Sequence, residues 1–343
     1  MQNANVTVVI VNYRTPDLVA INLAALAAER ASLPNLSVLV VDGGSGDNSP
    51  TKIASSIRDS HWEDWVRLRP LALNGGFGWA NNQAIREALR EDVRPDFVYL
   101  VNPDAVARPG AIQRLIDALQ ADPHAGAAGS RLLDDDGTVL GSAFRFPSAA
   151  SEFSRGADTG WINRILRLRP LRIDPAARAR VDWVTGASVM FRPEALESAG
   201  IFDEGFFLYF EEVELMHRMR RAGWHTLHEP LSEVVHVGGA STGVGGAGAE
   251  LRALPDYWYQ SRLRYFARVY GRVGAFLVNL AWLAGKAVWG LRSLLGKSPA
   301  GRQPPQDLAG VWRNGLWPRR HDLAAHGATV DDRRATPAWM EWR

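Results

Sequence analysis

Over the first 120 residues, short apolar runs of strand length alternate with stretches whose apolar residues recur at helical spacing. VTVVIVN (Val6–Asn12) and LSVLVVD (Leu36–Asp42) are mostly β-branched and aliphatic, as strands buried on both faces are, and FVYLVNPD (97–104) continues the pattern. A weaker strand, WVRLRPL, leads to Asn74. Between these runs the spacing predicts helices over 16–30, 51–57, about 78–90, and from Pro109, a residue suited to a first helical position, to Gln120. Strand and helix in alternation predict an α/β fold with a mostly parallel sheet covered on both faces. Residues 134–180 lose the pattern and are rich in Arg, Pro and Gly, which predicts an irregular, substrate-facing insertion entered through a DDDG turn. VDWVTGASVMFR (181–192) restores strand character, and helices are predicted over 193–199 and within FFLYFEEVELMHRMRRAG (206–223). VGGASTGVGGAGAE (237–250) is expected to be a flexible loop.

In parallel sheets ligands bind beyond the carboxyl ends of the strands. Asn12, Asp42, Asn74 and Asp104 each close or follow an apolar run, so four polar side chains are expected at one sheet edge. Glu211 and Glu212 open a helix, where acids suit the macrodipole. On that helix Glu212 shares a face with Leu215, Met216 and Met219 and is expected to point inward, whereas Glu214 and Arg218 read as a surface ion pair.

With 343 residues and 46% hydrophobic content the chain has ample material for a core. The absence of cysteine excludes disulfides, thiolate metal sites and a Cys nucleophile, so a metal would need oxygen or His ligands. His217, His225 and His228 have no zinc-motif spacing. The formal charge of +2 conceals an asymmetry: residues 251–343 carry 15 Lys and Arg against 6 Asp and Glu, about +9, leaving about −7 on the rest. The N-terminus lacks the cationic start and long apolar core of a signal peptide, so a cytoplasmic domain is expected.

VIVNYRT, VVDGGSGDNS, NGGFGWANN, VNPDA, WVTGASVMFR, FDEGFFLYFEEVEL and VVHVGG occur in the order and approximate spacing of the inverting family 2 glycosyltransferases with a GT-A fold. The chain resembles most the bacterial rhamnosyltransferase-like branch, over about residues 6–239. The resemblance implies a donor half at 1–133 and an acceptor half at 134–250. It also implies that the enzyme moves a sugar from a pyrimidine nucleoside diphosphate to a hydroxyl of a lipid-linked saccharide or polysaccharide. The leaning is toward a deoxythymidine-diphosphate (dTDP) rhamnose donor, with a uridine-diphosphate (UDP) sugar close behind. Nucleotide contacts fall on Asn12, Tyr13, Asp42, Asn74, Asn102 and Asp104. A divalent cation, Mg or Mn, falls on Asp104 and His236, although Asn102 stands where the family's D-x-D-like motif has its first acid. The acceptor falls on Trp183, Thr185 and Gly186, and the general base on Glu212, with Glu211 as the other candidate. A nucleotidyltransferase, or a nucleotide-binding scaffold on a decayed transferase fold, are the alternatives.

In residues 251–297 Arg262, Arg264, Arg268 and Arg272 recur between aromatics ahead of an apolar stretch, the make-up of a helix lying in a membrane interface. Peripheral attachment to the inner face of the bacterial cytoplasmic membrane is expected; a helical pair packed on the domain and a homo-oligomer contact are the alternatives. Residues 298–343 are rich in Pro, Arg and Trp. No nucleic-acid-binding module is recognisable.

Overall fold

Residues 4–236, 253–296, 304–323, 328–332 and 334–342 are described by the computed structural model; the Gly-rich stretch expected to be a loop lies outside the described residues. The alternating first third forms β1 (Val6–Asn12), α1 (Pro16–Arg30), β2 (Leu36–Asp42), α2 (Ser49–Asp59), β3 (Val66–Pro70), α3 (Phe77–Ala88), β4 (Phe97–Val101), β5 (Ala105–Ala107) and α4 (Ala111–Ala121). Pro109 is not the first residue of α4, because Gly110 intervenes at φ 80° as its N-cap. Next come β6 (Ala125–Leu133), β7 (Ala143–Phe144), α5 (Ala149–Ala157), α6 (Gly160–Ile165), β8 (Ala179–Val181), β9 (Trp183–Val184), β10 (Ser188–Phe191), α7 (Pro193–Ala199), α8 (Glu211–Arg221) and β11 (His225–His236). The chain then continues into α9 (Asp256–Leu294), α10 (Asp307–Asn314), α11 (Arg320–Leu323) and a 3-10 turn, Ala338–Trp342.

The main sheet runs β3-β2-β1-β4-β10-β6-β11-β5, with β8 also paired to β11. From β3 to β4 every pairing is parallel, β10 is antiparallel to both its neighbours, and β6 and β11 are parallel to each other. The expected mostly parallel α/β sheet is therefore present. Successive β1 residues serve opposite layers: Val8 and Ile10 pack with α1, α2 and α4, while Val9 joins Leu39, α3, α7 and α8. Parallel register sets Asn12 beside Asp42 at one edge.

Two elements escaped the periodicity. AGAAGSRLL forms β6 in mid-sheet because both its faces are crowded. A Cβ on Gly129 would come within 2.5 Å of Val184, and one on Gly126 within 2.7 Å of Met219. The stretch 134–180, expected to be irregular, contains α5, opened by a reciprocal Ser148–Ser151 capping box. Its Gly156 meets Gly285 of α9 so closely that a Cβ on Gly285 would lie 2.3 Å from the Phe153 carbonyl.

Helix α9 is broken at Gly271 (φ 71°, ψ −178°). Its two arms fold back on each other, since Arg262 Nη1 donates to Asn279 Oδ1 at 2.6 Å although 17 residues separate them. This corrects the expectation that the tail arginines face a membrane. Arg262 and Arg264 are buried. Arg262 pairs with Glu152 of α5 at 2.7 Å, Arg264 grips both oxygens of Asp203 at 2.7 and 2.8 Å, and Arg268 reaches Asp203 and Glu214 at 3.4 and 3.3 Å. Arg272 lies over the Trp317 ring. The first arm is thus a counter-charge for the α/β domain, which accounts for part of the charge asymmetry. Glu214–Arg218, expected at the surface, pairs at 2.7 Å with Glu214 buried and Arg218 half-buried, because Arg268 of the first arm reaches the same carboxylate.

Removing one partner of a buried pair strands the other charge, at about 3–5 kcal/mol, whereas exposed pairs contribute about 0–1 kcal/mol. Arg264→Ala should therefore lose several kcal/mol in urea unfolding and Arg94→Ala, whose Glu197 pair is solvent-exposed, almost nothing. Equal losses would contradict this account of the α9 clamp.

Candidate active site

The carboxyl ends of β1 and β4, the loops before α3 and α8 and the end of β11 enclose a cleft of about 490 Å³. Tyr13, Asn74, Asn102, Asp104, Thr185, Gly186, Glu211, Glu212 and His236 all line it. Asn12 and Asp42 sit beneath it, buried, with Asn12 Nδ2 donating to Asp42 Oδ1 at 2.7 Å. Asp42 also accepts from Ser45 Oγ at 2.6 Å and from the Ser45 amide at 3.1 Å, which shapes the loop whose Gly43 does reach the cleft. Trp183 lies outside the lining. Its ring stacks on Phe144 at 4.3 Å and its Nε1 donates to the Arg145 carbonyl at 2.8 Å.

At one side Asp104 Oδ1 and His236 Nε2 approach to 3.3 Å. Antiparallel pairing of β5 with β11, in register Ala105↔His236, brings together residues 132 positions apart in the chain. Among the described residues no third His, Asp or Glu joins them. A carboxylate and an imidazole supply two ligands of a hard or borderline divalent cation, which in such sites completes its shell with water and substrate phosphate oxygens.

On the other side stand Glu211 and Glu212. They are delivered by a turn in which Tyr209 (φ 70°) and Phe210 (φ 69°) both adopt the left-handed region, rare for bulky residues and clustered at functional sites. Gly76 permits that turn's close approach, because a Cβ there would lie 2.1 Å from the Phe207 carbonyl, which accepts from the Phe77 amide at 3.0 Å. Both glutamates have one buried carboxylate oxygen without a hydrogen-bond partner. Glu211, not Glu212, is the more deeply buried, because α8 is covered by the sheet on one face and by α9 on another. Burial, with the neighbouring Glu212 charge added, pushes the Glu211 carboxyl well above its ordinary value of 4.5. Burial raises Glu212 as well, opposed there by backbone donors that include Gly186.

Five acids crowd this region, and three are neutralised. Asp203 has Arg264 and Arg268, Glu204 has Arg86 at 2.8 Å, and Glu214 has Arg218 and Arg268. Glu211 and Glu212 have no cationic partner among the described residues. Two adjacent carboxylates left uncompensated in a cleft, with unequal environments, form the arrangement that separates a proton-holding acid from an ionised base.

Sequence reasoning missed the aromatic wall. Phe207, Tyr209 and Tyr257 line the cleft, Tyr209 and Tyr257 stacked 6.1 Å apart, and Trp339 packs on Phe207 while its Nε1 donates to the Gly75 carbonyl. Tyr257 and Trp339 come from the tail, whose aromatic richness was the available signal.

Residues 7–175 match the model of glycosyl transferase family 2. The chain is 34% identical over 232 residues to an N-acetylglucosaminyl-diphospho-decaprenol L-rhamnosyltransferase of Mycobacterium tuberculosis, covering 64% of this chain and 71% of that protein. It is 23% identical over 164 residues to the rhamnosyltransferase WbbL of Escherichia coli, covering 47% and 60%. Among solved structures, the mannosyltransferase PcManGT from Pyrobaculum calidifontis, in complex with GDP-Man and Mn2+, superposes with a TM-score of 0.54 at 18% identity over 91% of this chain and 80% of that one. GalNAc-T7 with UDP, GalNAc and Mn2+ gives 0.57 at 12% identity, over 80% and 50%. These two likenesses bear on the fold, which is GT-A.

A carboxyl whose folded pKa is raised contributes stability below its unfolded value and loses it as pH rises from there toward the folded value. The window here opens near 4.5 and extends upward. Glu211→Gln should therefore raise the melting temperature at pH 8 more than at pH 5. An equal change at both pH values would mean that Glu211 titrates as a solvated acid.

Proposed function

The chain belongs to glycosyltransferase family 2 and is a glycosyltransferase, and from that premise we propose that it is an inverting enzyme moving a sugar from a pyrimidine nucleoside diphosphate to a hydroxyl of a lipid-linked saccharide. The observation that carries this reading is the uncompensated Glu211–Glu212 pair in the same cleft as Asp104 and His236. Glu212, half-buried and supported by backbone donors, is the base. It takes the proton from the acceptor hydroxyl as that oxygen bonds to the anomeric carbon. The bond from that carbon to the donor's diphosphate breaks, and the electron pair leaves with the nucleoside diphosphate. Glu211, protonated to higher pH, sits beside it without adding a second negative charge at the sugar.

Asp104 and His236 would hold a divalent cation, Mg or Mn, whose charge offsets that of the departing diphosphate. Asn102, an amide in place of an acid, suits a hydrogen bond to the ribose. Tyr13 offers a face for base stacking, and Asp42 an acceptor for a pyrimidine imide N–H once the Asn12 and Ser45 bonds are shared. Thr185 and Gly186 border the acceptor side. Rhamnosyltransferase relatives, one of them with a diphospho-decaprenol acceptor in its name, favour dTDP-L-rhamnose as donor over a UDP-sugar, and a lipid diphosphate saccharide as acceptor. Such an acceptor accords with a cytoplasmic site of action at the inner face of the membrane.

The test is transfer by the purified chain from dTDP-L-rhamnose, and from UDP-sugars, to a short-chain lipid diphosphate saccharide with Mg or Mn. Transfer should require the metal and fall at least about 100-fold in Glu212→Gln, the scale of a lost general base. In Asp104→Ala, metal-dependent thermal stabilisation by the nucleoside diphosphate should disappear as well. Full activity of Glu212→Gln would move the base elsewhere.

A further inference from the structure

The second arm of α9, residues 272–294, has an outer face with no counterpart in the fold. Val273, Leu277, Leu280, Ala284, Ala287, Leu291 and Leu294 are successive positions at spacings of three and four, all exposed and all apolar. Its five large side chains are between 42% and 86% exposed. A solvated helix face is ordinarily charged or polar. An unbroken apolar stripe of this length marks a surface that something covers.

We propose that this face docks the enzyme onto an anionic phospholipid leaflet, the second arm lying flat with its outer stripe among the lipid headgroups and upper acyl chains. The charge pattern selects this occupant. No Asp or Glu occurs between Asp256 and Asp307, so no acid along this arm opposes an anionic surface. Just past α5, where Arg292 donates to the Ala157 and Asp158 carbonyls at 3.1 and 3.0 Å, the segment around α6 exposes Ile165 and Leu166 flanked by exposed Arg164, Arg167 and Arg169. Apolar side chains rimmed by cations are the composition of a helix at a lipid interface. A two-fold contact between copies would instead set this cationic rim against itself.

The second arm is long and apolar enough to cross a membrane by composition, but its inner face excludes a span. Asn279 bonds to Arg262 and Lys286 to Asp307 at 3.0 Å, and Gly285 is in backbone contact with α5. Crossing the bilayer would draw those charges with it or strip them of partners. The docking face is therefore the opposite side of the hairpin from the buried arginines of the first arm. The inference stands apart from the identity of donor and acceptor.

The experiment is co-sedimentation of the full chain with vesicles of phosphatidylglycerol and phosphatidylcholine, and with phosphatidylcholine alone. Binding should favour the anionic vesicles and weaken with salt. It should drop at least about tenfold in Leu277→Glu/Leu291→Glu, and Arg164→Glu/Arg167→Glu/Arg169→Glu should abolish the preference for anionic lipid. Melting temperature and donor hydrolysis, measured without lipid, should be unchanged in both variants. Vesicle binding unaffected by the leucine substitutions would overturn the proposal. So would a dimer in lipid-free light scattering that those same substitutions dissolve, which would identify a second copy as the occupant.

Discussion

Two adjacent carboxylates held out of water without a counter-ion are the constraint around which this structure is arranged. Burying one unpaired charge is already costly, and a second beside it makes both resist ionisation. The fold meets that cost by neutralising every other acid nearby. Asp203, Glu204 and Glu214 are each paired with buried or half-buried arginines, whereas Glu211 and Glu212, raised by burial, have no cationic partner among the described residues. The left-handed Tyr209–Phe210 turn and the contact at Gly76 add local strain that the surrounding packing must hold.

The neutralising charges come largely from the tail. Arg264 and Arg268 of α9 lie more than fifty residues beyond the acids they pair, and α9 also sends Tyr257 into the cleft. The catalytic domain and the helical hairpin are therefore one electrostatic unit, with the acidic excess of one answering the basic excess of the other. A single helix pair thus has two faces with different work. The inner face completes the site through ion pairs and an aromatic wall, and the outer face, free of charge, is the one proposed to meet the membrane.

Much of the α/β architecture was legible because strands buried on both sides must be continuously apolar, and polar residues that end them must gather at one edge. VTVVIVN, LSVLVVD and FVYLV could hardly be anything else. The Ala- and Gly-rich β6 was illegible because its smallness is a response to neighbours, Val184 and Met219, that only the tertiary structure supplies. The site was legible where a family pattern covers it: Tyr13, Asn74, Asn102, Asp104, Thr185, Gly186, Glu211, Glu212 and His236 do converge on one cleft. Glu214 was expected at the surface because helical periodicity assigns one buried face, and α8 has two. The tail arginines were misread for a related reason. Arginine between aromatics looks the same in sequence whether its partner is a lipid phosphate or a buried carboxylate 61 residues away, as Asp203 is for Arg264.

Two neighbouring carboxylates can act as base and protonated companion, or one can attack the sugar directly, and the outcomes differ in stereochemistry. The most direct measurement is the anomeric configuration of the transferred sugar, compared by NMR in donor and product. Inversion is the result this account predicts, with Glu212 deprotonating the acceptor and the sugar never bonded to the enzyme. Retention would contradict it, because the acceptor would then bond on the face the diphosphate leaves, by double displacement or same-face substitution, and the pair would need a role other than the one derived from its burial.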